Sequence, residues 1–142
     1  MSETYKAFAY HSTFCDELGG SMHLAVQRSG GVPFVLNGSC GVLFPAAELG
    51  EGKRAGTTKI MVDPWVFRLR GGGFGVAALR RNLGRGGRAE LEPGRENNVL
   101  LFRTEDLVSY EELGLVEAAP AGATISDVAC RWDGERYVLT AQ

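Results

Sequence analysis

At 142 residues with 44% hydrophobic side chains, the chain has the size of one domain with a real core. Its 15 Lys and Arg against 17 Asp and Glu give a formal charge of −2, too weak a field to draw nucleic acid or anionic lipid. No apolar run approaches the roughly 20 residues of a membrane span, and the N-terminal Met1-Ser2-Glu3-Thr4-Tyr5-Lys6 lacks the apolar centre of a secretion signal. Cys15, Cys40 and Cys130 are widely spaced, with no Cys-x-x-Cys pair. They suit reduced thiols in a cytoplasmic protein and offer neither a disulfide framework nor a metal site.

Taken in chain order, residues 5–10 and 22–28 read as strands, with a Gly19-Gly20 turn before the second. Residues 32–44 hold short extended pieces broken at Asn37-Gly38, a strong turn signal. From Ala46 to Thr58 the chain is polar and glycine-bearing, which predicts a loop. Residues 60–69 and 73–79 predict a hairpin around Gly71-Gly72-Gly73. Arg80 to Asn98 reads as a long arginine- and glycine-rich loop containing Pro93. Strands follow at 98–103 and, more weakly, at 108–117. A loop from Ala118 to Ala123 leads to a last hairpin, 125–131 and 136–141. Only Ala46-Ala47-Glu48-Leu49 and Glu105-Asp106-Leu107 suit single helical turns, and no apolar helical period runs over three turns. The chain is expected to be all-β.

Two repeats interleave. Asp63-Pro64-Trp65-Val66-Phe67-Arg68 passes through a glycine turn into Phe74-Gly75-Val76-Ala77-Ala78, and Asp127-Val128-Ala129-Cys130-Arg131 passes through Asp133-Gly134 into Tyr137-Val138-Leu139-Thr140-Ala141. Arg68 and Arg131 stand at the same offset as Phe74 and Tyr137. In the second repeat, His23 to Arg28 leading to Phe34 matches Val99 to Thr104 leading to Tyr110, again in constant register. Glu3 to Ala9 resembles Glu135 to Ala141. With the Asp-led hairpin as strands a and b and the next pair as c and d, the order reads b-c-d, a-b-c-d, a-b. Four short antiparallel strands per unit is the pattern of a β-propeller blade. The expectation is a partial propeller in one domain, 1–142: a partial blade at 1–45, a blade at 59–117 and the start of another at 124–142.

Several motifs carry less than their spelling suggests. Gly73-Phe74-Gly75-Val76-Ala77-Ala78 resembles a dinucleotide fingerprint, but it reads as a return strand with no helix to aim at phosphate. Gly50-Glu51-Gly52-Lys53 is followed by Arg54 where a phosphate loop needs Ser or Thr. Arg80, Arg81, Arg85, Arg88 and Arg95 are mixed with Glu90, Glu92 and Glu96 and have no aromatic residue among them, so they read as a solvated loop rather than a nucleic-acid patch. His23 reads as a packed histidine, and His11, after the first strand, as a residue lining a cleft. No metal or other cofactor is expected.

The aspartates carry the chemistry. Pro64 cannot donate to a sheet ladder and marks a strand start or an edge beside Asp63. Blades that aim their inner strands at one end bring Asp63 and Asp127 together for acid/base work, and inverting glycosidases use such pairs about 6.5–9.5 Å apart. The alternative is that each aspartate caps a turn by accepting backbone amides.

The succession "MHLAVQRSGGVPFVLNG", "KIMVDPWVFRLRGGGFGVAAL", "NNVLLFRTEDLVSYEELGLVEAAP" and "ISDVACRWDGERYVLTA" resembles, in order, the N-terminal part of a family 43 glycoside hydrolase of the five-bladed β-propeller type. The resemblance implies an inverting hydrolase of arabinose- or xylose-containing glycans, an arabinofuranosidase or xylosidase. It implies Asp63 as general base on the attacking water and Asp127 as the residue that tunes and orients the general acid, with His11 and Trp65 near the sugar. This chain departs from the pattern at Ile125-Ser126, where the family has Ala-Pro, and at Val62, where an arginine is usual. The general-acid glutamate belongs to a later blade than those read here. The partners expected are therefore an oligosaccharide or glycoside, and a second copy or another chain that completes the ring. A non-catalytic carbohydrate-binding or assembly module, and an unrelated β-sandwich, are the alternative readings.

Overall fold

A computed structural model describes residues 4–12, 20–45 and 58–142. The Gly19 half of the first turn, Cys15, the 46–57 part of the expected loop, the helical turn at Ala46 and the glycine-lysine motif at Gly50 lie outside the described residues. Among the described residues, ten strands form three antiparallel sheets. The first contains β1 (Tyr5–Tyr10), β2 (His23–Arg28) and β3 (Phe34–Val35), in that order. In the middle sheet, β4 (Lys59–Arg68), β5 (Phe74–Leu83), β7 (Asn98–Thr104) and β8 (Tyr110–Glu117) lie side by side, and the short β6 (Ala89–Glu90) pairs with the end of β5. The last hairpin is β9 (Val128–Trp132) with β10 (Tyr137–Ala141). The all-β expectation is met.

The middle sheet is apolar on both faces because β4, β5 and β7 are near-continuous hydrophobic runs, and strand side chains alternate in direction. Met61, Val76, Ala78, Leu100 and Phe102 form one face and pack with Met22 and Leu43 from the first-sheet region. Ile60, Val62, Ala77, Leu79 and Val99 form the other, and pack with Ile125 and Val128 at the start of the last hairpin. The first sheet is tied on by backbone as well: Met22 and Leu43 form an isolated bridge, and the Met61 amide donates to the Gly20 carbonyl.

A bulge interrupts β4. Val62 pairs with Leu79 and Trp65 with Ala77, so Asp63 and Pro64 together stand opposite Ala78. One extra residue reverses the facing of everything beyond it. Val66 thereby joins the face of Met61, and Phe67 joins that of Val62.

The 80–98 segment differs from the solvated loop read in the sequence. β5 continues to Leu83, and Arg80 and Arg81 are only 5% and 6% exposed. Arg80 holds Glu92 in a two-pronged pair, Nε to Oε2 at 2.9 Å and Nη2 to Oε1 at 2.8 Å. Lys59 Nζ lies 3.0 Å from the same carboxylate and donates to Asn82 Oδ1. Charge that looks solvated in the sequence is buried because Glu92 returns from the loop to neutralise it. Arg85 and Arg88 are exposed, as expected for loop arginines.

Burial alone would push the Glu92 carboxyl up, but the hydrogen bonds from Arg80 and Lys59 outweigh it and hold it below the usual carboxylate range. A folded-state pKa below the unfolded one stabilises above the unfolded value, about 4.3, and that stabilisation is lost as pH falls through the folded value. Glu92→Ala should cost about 3–5 kcal/mol at neutral pH, because two buried cations lose their partner. Urea denaturation should show the gap between wild type and variant constant from about pH 7 to 5 and narrowing below about pH 4.

Candidate functional site

The bulge in β4 is also what presents Asp63. Its backbone is left-handed, with φ of 50°, a conformation that L-residues other than Asn and Asp rarely take. Pro64 follows at no cost to the ladder, since a bulge leaves its nitrogen without a pairing role. The strand therefore re-aims Asp63 toward the residues just after β1. The Asp63 amide donates to His11 Nδ1 at 3.1 Å, and Asp63 Oδ1 lies 3.7 Å from the same nitrogen. With Nδ1 accepting that bond, a neutral imidazole carries its proton on Nε2.

Asp127 stands immediately before β9 and is exposed. One carboxylate oxygen accepts from the Val128 amide at 2.7 Å, and its backbone pairs with Gln142. Asp127 thus accepts one backbone amide, as the alternative reading expects, though at the entry to a strand and not in a turn. Asp63 does not: among the described residues no backbone amide donates to its carboxylate.

Trp65 joins the two aspartate-bearing strands. Its indole Nε1 donates to the Cys130 carbonyl of β9 at 2.8 Å, which fixes the ring while leaving the residue 45% exposed. His11, Asp63, Trp65 and Asp127, together with Tyr10 and Pro64, line one cavity of about 310 Å³. All four residues singled out in the sequence are thus brought to one place. Cys130 contributes its carbonyl, and burial pushes its thiol up, which argues against a nucleophile.

Two contributors were not read from the sequence. Tyr10 stacks on His23, with ring centroids 5.2 Å apart, which packs that histidine as expected and fixes one wall of the cavity. Alternation along β1, with Phe8 and Tyr10 on one face, is the signal that would have found it. Arg81 was assigned to the solvated loop, yet it donates to the Arg80 carbonyl and to the Ile125 carbonyl, two residues before Asp127. Burial pushes its guanidinium down, and the nearby Asp63 carboxylate opposes that most strongly, ahead of Glu92 and Glu96. A buried cation thereby ties the approach to β9 and biases the field at Asp63. No family of proteins, no curated protein and no solved structure matches the chain when it is compared with them.

The left-handed backbone at Asp63 separates conformation from charge. Asp63→Gly should be more stable than Asp63→Ala by about 1 kcal/mol, since only alanine meets the steric penalty at positive φ. Chemical denaturation of the two variants measures this directly, and equal stability would show that the bulge relaxes when the carboxylate is removed.

Proposed function

We propose that the cavity is a carbohydrate site of a glycoside-hydrolase-like protein, and that the three sheets are successive blades of a propeller-like arrangement. The observation that carries this reading is the convergence of Asp63, Asp127, His11 and Trp65 on one cavity. Asp63 sits at the bulge in mid-β4 rather than at the strand start read in the sequence, and Asp127 just before β9, so the convergence joins residues of separate sheets, which the blade order and the family resemblance both require. The sheets also break where the b-c-d, a-b-c-d, a-b order breaks.

In this reading Asp63 is the base. Its carboxylate is free of backbone amides and open to a water molecule, and the bulge holds it in the cavity wall. Asp127 keeps one oxygen on its own strand and orients from the opposite side. Trp65 offers an anchored ring face, the usual partner of a sugar's C–H surface, and His11 Nε2–H is a donor for a hydroxyl or ring oxygen. The substrate class is a glycoside of arabinose or xylose, cleaved with inversion. Because no glutamate lines the cavity among the described residues, a natural leaving group would depart without protonation, a loss of about 10²–10⁴-fold. That absence favours a second reading, a carbohydrate-binding or assembly module without turnover.

Nitrophenyl arabinofuranosides and xylosides distinguish the two, since nitrophenolate leaves without help from an acid. Slow hydrolysis with an inverted anomeric product is expected, falling by about 10²-fold or more in Asp63→Asn. Activity untouched by Asp63→Asn removes the base assignment, and oligosaccharide binding without turnover selects the binding module.

A further inference from the structure

The opposite ends of β4 and β9 enclose a second cavity, of about 530 Å³, well inside the size range of small-molecule sites. Trp132 closes β9, five residues beyond Asp127, so the two cavities lie about 15 Å apart along the strand. The proposed carbohydrate reading does not use this cleft.

Its wall is built rather than incidental. Trp132 and Tyr137 are directly paired across the last hairpin, with rings edge-on at 4.9 Å. Tyr137 continues to Phe67 at 5.6 Å, and its hydroxyl accepts from the Arg70 amide. The Phe67 ring occupies the space in front of Gly75, where any Cβ would come within 2.3 Å of it. The Arg70 guanidinium lies 4.8 Å above the Trp132 ring. Leu101 supplies the floor, and Leu113, the extra residue of a bulge in β8, projects at the rim with 57% exposure.

The charge is one-sided. Arg70 and Arg103 line the cleft and, among the described residues, no acidic residue does, on a chain whose net charge is negative. Arg103 faces Glu105 at 3.7 Å in a solvent-exposed pair, which is weak. Arg70 has no carboxylate within ion-pair distance among the described residues. An apolar, aromatic slot with the guanidinium of Arg70 free of a carboxylate and that of Arg103 only weakly paired at its mouth suits a flat ring that carries an anion.

We propose that this cleft binds a planar aromatic carboxylate, with the ring against Trp132 and Leu101 and the anion on Arg70. The alternative occupant is a sheet of a second copy of the chain, since Leu113 and Tyr137 would also suit a protein contact.

The test compares 2-naphthoate with 2-naphthylmethanol, the same ring without charge, on the full chain labelled with ¹⁵N. Both should move the Trp132 indole signal and leave that of Trp65 in place, with naphthoate binding about five- to tenfold more tightly. Arg70→Gln should abolish that preference while keeping the alcohol's affinity, and Trp132→Leu should weaken both. Equal affinities in wild type, a response confined to Trp65, a preference that survives Arg70→Gln, or no binding would each overturn the proposal. So would sedimentation as a dimer whose Trp132 is shielded from a soluble quencher. The wild-type comparison stands even if a variant fails to fold.

Discussion

Everything in this fold follows from a sheet that is apolar on both sides. Met61, Val76, Ala78 and Leu100 point one way and Ile60, Val62, Ala77 and Leu79 the other, all with little or no exposure. Such a sheet is unstable in water unless something covers each face. The first sheet covers one side through Met22 and Leu43, and the last hairpin covers the other through Ile125 and Val128. Those two requirements fix where His11 and Asp127 sit, because each lies at the margin of a covering element. The cavity is where the three pieces meet around Asp63.

The second requirement is electrostatic. Extending β5 through Arg80 and Arg81 takes two guanidinium groups out of water, which is costly unless each finds a partner. Glu92 answers for Arg80 together with Lys59, and this pulls the 84–98 segment back over the sheet. Arg81 is answered by two carbonyls and by the fields of Asp63, Glu92 and Glu96. The same buried charge that steadies the middle sheet thus reaches the candidate site, so its stability and its electrostatics are not independent.

The strand plan was legible because period-2 alternation and glycine turns are local signals, and the near-repeat put the strands in order. Asp63 and Asp127 were legible as candidates from that order, His11 from its place after the first strand, and Trp65 only through the family resemblance. Other features were hidden for physical reasons. Pro64 marked an irregularity in β4, but the left-handed backbone of Asp63 depends on how Ala78 pairs with its neighbours, a non-local fact. Arg80 and Arg81 read as solvated because burial of a charge is decided by distant partners, Glu92 for Arg80 and the Ile125 carbonyl for Arg81, and composition alone does not reveal which glutamate turns inward. The bond from Trp65 to Cys130 is invisible in sequence for the same reason. It joins strands that only the packing of the sheet brings together.

That bond between Trp65 and the carbonyl of Cys130 has a mechanical meaning. β9 begins directly after Asp127 and ends at Trp132, and the indole clasps it between them. A hinge motion that peeled the hairpin away would dismantle both recesses in one stroke. The strand is thus a wall common to both recesses, Asp127 and Val128 in one and Trp132 in the other.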